Sequence, residues 1–157
     1  METTLTAADI MTSDVVTISE TSSLADALDL LSDLEIRHLP VVNESGEVVG
    51  MISDRDLRAL GLSMTSDLES LEKARRRLDV AVSTIMSSDV LSIEPSADAT
   101  EIIDLLLEER VGAVPVIDGD NDELVGIVSY VDVLRAIREG SPSRAAPRKP
   151  AERSPRT

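Results

Sequence analysis

The chain carries an internal duplication. The stretch 10–18 (IMTSDVVTI) recurs at 85–93 as IMSSDVLSI, 75 residues further along. The run PVV at 40–42 recurs as PVI at 115–117, and one residue inserted in the following turn changes the offset to 76. Self-similarity at a fixed offset indicates two copies of one structural unit. We therefore predict that the chain folds as two units of the same kind.

Each repeat is predicted to contain a strand, a helix, two strands and a second helix. In the first repeat a β-rich run at 15–18 precedes a helix with apolar residues at i, i+3, i+4 and i+7. The apolar runs 39–42 and 48–52 favour a hairpin, and Ser53 begins the second helix. A three-stranded sheet with helices on one side leaves its other face uncovered. We therefore predict an α/β (α+β) fold of two β-α-β-β-α repeats, packed face to face about a pseudo-twofold axis.

The repeats suggest four segments. The first repeat is predicted over 5–62 and the second over 80–139. Between them, charged residues in favourable i, i+4 pairs predict a connecting helix over 63–79. The segment 140–157 is rich in Ser, Pro, Ala and Arg, which predicts a disordered basic tail.

The charge of the chain argues against nucleic-acid binding. It has 15 Lys plus Arg against 30 Asp plus Glu, a net charge of −15, although the tail is basic. Binding to nucleic acid depends largely on neutralising phosphates, which an acidic body cannot do. With one Tyr, no Phe and no Trp, the chain also lacks aromatic side chains on which bases could stack. The scarcity of Lys fits either a high-salt cytoplasm or a codon bias towards Arg.

Other classes of protein are excluded by composition. The absence of Cys excludes disulfides, thiolate chemistry and Cys-type zinc sites. No uncharged stretch approaches the roughly 18 apolar residues that span a bilayer. The N-terminus has neither a basic segment nor an apolar segment of the kind found in secretory signals. We therefore expect a cytoplasmic protein without a membrane partner.

A short motif, Gly-apolar-apolar-Ser-x-x-Asp, occurs once in each repeat, at 50–56 and at 126–132. In both places a strand is predicted to end, a glycine allows close approach of another group, and a serine begins a helix. Free N–H groups at a helix N-terminus accept a phosphate well, and a carboxylate can accept hydrogen bonds from ribose hydroxyls. The motif is therefore suited to a nucleoside phosphate.

The same residues also fit a purely structural interpretation. Ser53 with Asp56, and Ser129 with Asp132, have the spacing of a capping box, in which the acid accepts a hydrogen bond from the N-cap N–H. Glu or Gln is the usual acid there, and Asp is short for that reach. One such motif would favour capping, whereas two behind the same glycine favour a ligand site. Met11 and Met86, at the heads of the two repeats, are predicted to be core residues.

The segments 36–42 and 50–57, with their counterparts in the second repeat, resemble the cystathionine-β-synthase (CBS) domain family. The resemblance covers about residues 5–138 and identifies the chain as a tandem CBS pair, or Bateman module. It implies two α/β subdomains with up to two clefts for an adenosyl ligand such as AMP, ADP, ATP or S-adenosylmethionine. It also implies a homodimer of modules that acts as an energy or metabolite sensor and needs no other cofactor.

The resemblance transfers roles to particular positions. Asp56 and Asp132 correspond to ribose-binding acids, and Ser53 and Ser129 to hydroxyls that face phosphate. His38 has a second interpretation, as a half-buried residue at a strand start. The full set of expected ligand-binding residues is Thr17, Ile36, Arg37, His38, Pro40, Ser53, Arg55, Asp56, Ser92, Val114, Pro115, Ser129 and Asp132.

The two repeats differ in their basic residues. The second has Gly112-Ala113 where the first has Arg37-His38, and Tyr130-Val131 where the first has Asp54-Arg55. We therefore expect one site that accepts an anion and one that is weaker or less charged. The acids of the loop 118–122 do not fit a calcium loop and are interpreted as hairpin turn formers.

The functional expectation is a non-enzymatic regulatory module that binds an adenine nucleotide or another adenosyl ligand between its repeats. A ligand-free dimerisation or protein-interaction module is the main alternative, and a small metal-dependent hydrolase is a third. The sequence names neither the particular ligand nor the effector protein.

Overall fold

The computed structural model describes residues 4–60, 76 and 78–140. The predicted connecting helix, except its last few residues, and the tail after Gly140 lie outside the described residues. The described elements are, in chain order, α1 Ala7–Ile10, β1 Ile18–Ser19, α2 Leu24–Asp33, β2 His38–Val42, β3 Val48–Ser53, α3 Asp54–Ala59, a 3-10 helix Val82–Thr84, α4 Ala99–Glu108, β4 Ala113–Asp118, β5 Glu123–Ser129 and α5 Tyr130–Glu139.

The described residues form two compact units that do not coincide with the two repeats. Of the described residues, the second-repeat unit contains those up to Val16 and those from Leu91 to Gly140. The first-repeat unit contains the residues from Thr17 to Val90. Each repeat therefore gives its opening segment to the unit built on the other repeat, so that α1 belongs to the second-repeat unit and the 3-10 helix to the first-repeat unit.

The first-repeat unit has a three-stranded sheet in the order β1-β2-β3. β1 is parallel to β2, with Ile18 opposite Val41, and β2 is antiparallel to β3. The hairpin is confirmed, but the strand predicted over 15–18 was placed too early. Strand pairing covers only Ile18–Ser19, because the chain turns just before it, where the Val15 N–H donates to the carbonyl of Ser13 at 3.1 Å.

The second-repeat unit has an antiparallel pair, β4 and β5. The strand expected at its start is reduced to one parallel bridge between Ile93 and Val116. At this bridge the Ile93 N–H donates to the carbonyl of Pro115 at 3.1 Å, and the Ile117 N–H donates to the carbonyl of Ile93 at 2.9 Å. The order of elements nevertheless repeats that of the first unit.

Each unit has its own aliphatic core, as the near-absence of aromatic residues predicts. In α2 the residues Leu24, Ala27 and Leu31 are buried, which is the spacing of a helix with one apolar face. They pack in one cluster with residues of β2, β3 and α3. The cluster of the second-repeat unit is formed by Ala7, Ile10, Ala97, Ile102, Leu106, Val114, Val116, Val128, Val133 and Ala136.

The exchanged opening segments are attached by backbone hydrogen bonds. In the second-repeat unit Thr12 and Ile127 exchange N–H to carbonyl bonds of 2.9 and 3.0 Å. In the first-repeat unit Ser87 and Met51 exchange two bonds of 3.0 Å. Ser87 corresponds to Thr12 in the repeat, so the same contact is made twice. Each hairpin is thereby completed by a segment that is distant in the chain.

Candidate functional site

The repeated motif lies at the junction of a strand and a helix in both units. Ser53 ends β3 and is the N-cap of α3, and Ser129 ends β5 and is the N-cap of α5. Both serines have extended backbone angles, so the chain passes from strand to helix without a connecting loop. The first helical N–H groups are therefore found directly at the end of the sheet.

Both aspartates of the motif take part in capping boxes. Oδ2 of Asp56 accepts hydrogen bonds from the Ser53 N–H at 2.9 Å and from the Ser53 hydroxyl at 3.0 Å. The Asp56 N–H in turn donates to Oγ of Ser53 at 3.2 Å. Ser129 and Asp132 make the same three bonds at the same distances. The expectation that Asp is too short for this bond is wrong, because the extended N-cap brings its own N–H close to the first helical turn.

The capping box by itself does not indicate a ligand. At the start of α1, Oδ2 of Asp9 accepts from the Thr6 N–H at 2.9 Å and from the Thr6 hydroxyl at 3.0 Å. This box occurs at a helix start that lacks the motif glycine. The capping interpretation is therefore confirmed for Asp56 and Asp132. A ligand role of these aspartates stays a prediction, and it would have to use the carboxylate oxygen that the capping box does not use.

The second carboxylate oxygen distinguishes the two junctions. The box bonds at both junctions fall on Oδ2. Oδ1 of Asp132 lies 3.4 Å from the guanidinium of Arg135, and Asp132 is only 8% exposed. In the first repeat the position of Arg135 is occupied by Ala59, and Asp56 is half-buried. Sequence reasoning missed Arg135, although its i+3 spacing from Asp132 is a signal for such a pair.

The basic residues of the first repeat lie beside Ser53. His38 is directly opposite Ser53 in the β2–β3 ladder, and the Asp54 N–H donates to the carbonyl of Arg37 at 3.0 Å. Arg37 and Arg55 are exposed, and His38 is half-buried. A backbone anchor and a strand register, not only nearness in sequence, hold these positions at the junction.

The second-repeat junction has the same backbone without the charges. Ala113 is opposite Ser129, and the Tyr130 N–H donates to the carbonyl of Gly112 at 3.1 Å. Because the backbones match, the absence of basic side chains at 112 and 113 is a real difference in charge.

The pKa of His38 is lowered. Burial is the main cause, since it penalises the charged imidazolium, and Arg37 acts in the same direction. The carboxylates of Asp54 and Asp56 oppose the shift. His38 is therefore neutral at pH 7 in this conformation.

The motif glycines allow the close approach of another segment, as the sequence predicts, and the approaching group is the methionine of an exchanged opening segment. A Cβ on Gly50 would lie 2.5 Å from Sδ of Met86 and 2.9 Å from the carbonyl oxygen of Ser87. A Cβ on Gly126 would likewise collide with the side chain of Met11. Each glycine thus makes room for the methionine of an exchanged opening segment. Met11 and Met86 pack against the two cores, as expected for core residues.

Three of the expected ligand-binding residues are buried. Pro40, Val114 and Pro115 lie in the paired strands β2 and β4, and Val114 belongs to the core of the second-repeat unit. A contact between these buried side chains and a ligand stays a prediction. Thr17 and Ile36 are half-buried, and Ser92 is exposed.

The acidic loop between β4 and β5 forms a hydrogen-bonded turn. The Asp120 N–H donates to Oδ1 of Asp118 at 3.1 Å, and the Gly119 N–H donates to Oε2 of Glu94 at 3.1 Å. Within the described ranges, no group of three or more His, Cys, Asp or Glu residues is placed to hold a metal ion. No helix of the described part of the chain is long and apolar enough to cross a membrane.

Comparison with known families and curated proteins gives consistent matches. The family model described as CBS domain matches residues 7–63 and 82–139. The gamma-3 subunit of human 5'-AMP-activated protein kinase is 34% identical over 127 residues, which are 79% of this chain and 24% of that subunit. Inosine-5'-monophosphate dehydrogenase of Methanocaldococcus jannaschii is 27% identical over 127 residues, 81% of this chain and 22% of that enzyme. The chain thus spans about a quarter of the length of these curated relatives.

Solved structures share the fold over most of their length. The CBS-pair protein CBSX2 from Arabidopsis thaliana is 30% identical, with a TM-score of 0.74, and the match covers 87% of this chain and 96% of that one. CBSX2 in complex with AMP is 29% identical, with a TM-score of 0.70, covering 85% of this chain and 96% of that one. The mixed α/β fold of two repeats is therefore that of known CBS pairs.

Proposed function

Because this chain belongs to the CBS domain family, we propose that it is a non-catalytic regulatory module that binds an adenine nucleotide or another adenosyl ligand. One observation carries the proposal: the first-repeat junction combines a fixed carboxylate at a helix start with the basic residues Arg37, His38 and Arg55. The AMP complex of CBSX2 supports the choice of ligand class. AMP, ADP, ATP and S-adenosylmethionine are the candidate ligands.

The capping box and a sugar contact are compatible in this proposal. In the first-repeat unit the box uses Oδ2 of Asp56, so Oδ1 serves as the acceptor for ribose hydroxyls. A carboxylate already held by its own backbone loses little freedom when a ligand binds. Each charge-assisted hydrogen bond of this kind contributes roughly 1.5–3 kcal/mol. In this proposal the capping box holds the Asp56 carboxylate in place, so that Oδ1 is already positioned when the ligand binds.

The anionic end of the ligand is assigned to the same junction. The N–H groups at the start of α3 carry partial positive charge, and Arg37 and Arg55 add two exposed cations near them. At the second-repeat junction the guanidinium of Arg135 is directed at Asp132, and positions 112 and 113 carry no charge. We therefore assign the stronger anion site to the first repeat. Thr17, Ile36 and Ser92 stay in the proposal as lining residues.

The finer parts of the function belong to the same proposal. The chain has no catalytic activity of its own, works in the cytoplasm as a homodimer, and passes the ligand signal to an effector protein. A ligand can do this only if its affinity differs between two states of the module.

Thermal unfolding of the full chain with millimolar AMP, ATP or S-adenosylmethionine tests the ligand part. We expect at least one of these ligands to raise the Tm, by mass action on the folded state. Asp56→Asn should abolish the rise, and Asp132→Asn should reduce it less.

Asp9→Asn is the matched control, since Asp9 forms the same capping box at α1 without a proposed ligand role. It should cost about 1 kcal/mol of stability, as loss of a cap does, while the ligand-induced rise persists. An unchanged Tm with all three ligands, or equal loss of the rise in Asp9→Asn and Asp56→Asn, would contradict the proposal.

A ligand-free dimerisation or protein-interaction module is the second candidate. It is favoured by the fact that both motif aspartates have a structural role in their capping boxes. In that case the chain would form a stable dimer whose Tm responds neither to adenosyl ligands nor, beyond the loss of a cap, to the Asp56 change.

A further inference from the structure

Arg135 is bonded to the motif aspartate of the second-repeat junction. Its guanidinium lies 3.4 Å from Oδ1 of Asp132, which is three residues earlier on α5. Oδ2 of the same carboxylate already accepts hydrogen bonds from the N–H and the hydroxyl of Ser129. Both carboxylate oxygens of Asp132 therefore have a partner within their own helix start before any ligand binds.

The contact between Arg135 and Asp132 is partly shielded from water. The side chain of Asp132 is 10% exposed and that of Arg135 is 37% exposed. The ion pair between Arg138 and Glu139, further along the same helix, has side chains that are 75% and 37% exposed. Water and salt weaken an exposed pair more than a partly buried one. Arg135 is therefore the arginine of α5 whose contact with an acid is less screened.

The first-repeat junction has the same helix start without such an arginine. Ala59 aligns with Arg135, and it is exposed at the last position of α3. The arginine next to it, Arg58, forms an ion pair with Asp54. The motif aspartate Asp56 is half-buried, whereas its counterpart in the second repeat is buried. A single difference between the repeats thus decides whether an arginine three residues along the helix lies at the motif aspartate.

The arginine contact competes with the sugar contact assigned to the motif aspartates. In the proposed function the ribose hydroxyls donate to Oδ1, which at Asp132 is the oxygen that Arg135 approaches. Ribose hydroxyls are neutral donors, and a cation attracts a carboxylate more strongly than a neutral donor does. Part of the free energy gained from the ribose is therefore spent on displacing the guanidinium.

We propose that Arg135 is an internal competitor of the ligand, whose guanidinium takes the sugar-binding oxygen of Asp132 and keeps the second-repeat junction weak for adenosyl ligands. Ala59 leaves the first-repeat junction accessible. The inference rests on the proposed ligand function and adds a second cause for its unequal sites. The missing basic residues act on the phosphate end of a ligand, whereas Arg135 acts on the sugar end.

Adenosine, which has the sugar but no phosphate, is the probe that separates these two causes. Calorimetric titration of the full chain with Asp56→Asn isolates the second-repeat junction. Adding Arg135→Ala, which copies the first repeat, should strengthen adenosine binding about tenfold or more, as a regained charge-assisted hydrogen bond does. Arg135→Lys keeps a cation at this position and should leave the binding weak. The gain should disappear when Asp132→Asn is added, a dependence that a merely structural role of Arg135 does not predict.

The reciprocal variant is Ala59→Arg in the otherwise natural chain. Ala59 is exposed at a helix end, so the longer side chain fits without overpacking, and a cation in the last turn suits the helix dipole. This variant should weaken adenosine binding at the first-repeat junction about tenfold, the reverse of the gain from Arg135→Ala. Arg138→Ala is the matched control, since it removes the same charge from α5 and should leave adenosine binding unchanged.

The outcomes separate this inference from the proposed function. Equal gains from Arg135→Ala and Arg138→Ala would overturn the inference, because net charge and not the contact would then decide. Weaker adenosine binding in Arg135→Ala would also overturn it, because Arg135 would then contact the ligand. A natural chain that binds AMP, with adenosine binding unchanged by Arg135→Ala, overturns this inference alone. A natural chain that binds neither AMP nor adenosine overturns the proposed function and this inference with it.

Discussion

At the scale of single residues, the two motif aspartates differ in the surroundings of Oδ1, the carboxylate oxygen that the capping box does not use. Both use Oδ2 to hold the N-cap serine. The guanidinium of Arg135 lies 3.4 Å from Oδ1 of Asp132. The residue that aligns with Arg135 in the first repeat is Ala59, whose uncharged side chain cannot pair with Asp56. The same motif therefore leaves the aspartate Oδ1 in a different environment in each unit. A neighbour three residues further along the helix decides how much of a carboxylate is left for a ligand.

His38 gives the first prediction at this scale. Its pKa is below 6.5 in the folded chain because burial penalises the imidazolium. The unfolded chain therefore binds more protons between the folded pKa and 6.5, so the neutral imidazole contributes stability above pH 6.5 that is lost as the pH falls through the folded pKa. Urea unfolding at pH 7.5 and 5.5 should show this loss in the natural chain.

His38→Gln is the comparison variant, because His38 is the one histidine of the chain. Its free energy of unfolding should fall less over the same interval, since the remaining slope comes from carboxylates alone. Equal slopes in the two proteins would show that His38 does not titrate differently in the folded state.

At the scale of elements, the exchanged opening segments explain the motif glycines. Met11 lies over β5 and Met86 over β3, each so close to a glycine that no side chain fits between them. Backbone bonds from Thr12 and Ser87 fix the two segments at the same place on each hairpin. The glycine is therefore part of a contact between a strand and a segment more than 30 residues away in the chain.

Gly126→Ala should cost about 1–3 kcal/mol of stability, because the added methyl group overpacks the contact with Met11. Urea unfolding measures the change. Gly119→Ala is the control, since the new methyl group there meets only the end of the flexible Glu94 side chain, which can move away.

Met11→Ala added to Gly126→Ala should recover part of the loss, because the closest contacts of the new Cβ are all with the Met11 side chain. If the two losses simply add, the glycine is required for another reason.

At the scale of the whole molecule, the chain places an acidic surface on an aliphatic core. A net charge of −15 on 157 residues repels itself, and this repulsion opposes the compact state.

Salt should therefore stabilise the protein. We expect the Tm to rise as KCl is increased from about 0.05 to about 1 M, since the Debye length shrinks to roughly 3 Å at 1 M. Thermal unfolding monitored by circular dichroism checks this. A Tm that is flat or falls with KCl would show that the acidic surface does not limit stability.

The sequence alone determined the features that depend on local pattern. The duplication follows from self-similarity at an offset of 75 or 76 residues. The helices, the hairpins and the strand-to-helix junctions at Ser53 and Ser129 follow from local periodicity and turn chemistry, and the structure has them. The aliphatic core and the difference in basic residues between the repeats could also be read directly. The aliphatic core follows from the composition of the chain, and the difference in basic residues follows from aligning the two repeats.

Only the tertiary structure decided the features that depend on contacts between distant segments. The exchange of opening segments, the role of Gly50 and Gly126, and the burial of Val114 were not predictable, because periodicity does not say which apolar surfaces meet. The capping by Asp56 and Asp132 also needed coordinates, since the spacing fits both a cap and a ligand site. Spacing along the chain limits which groups can meet, but the packing of the folded units determines which of them do.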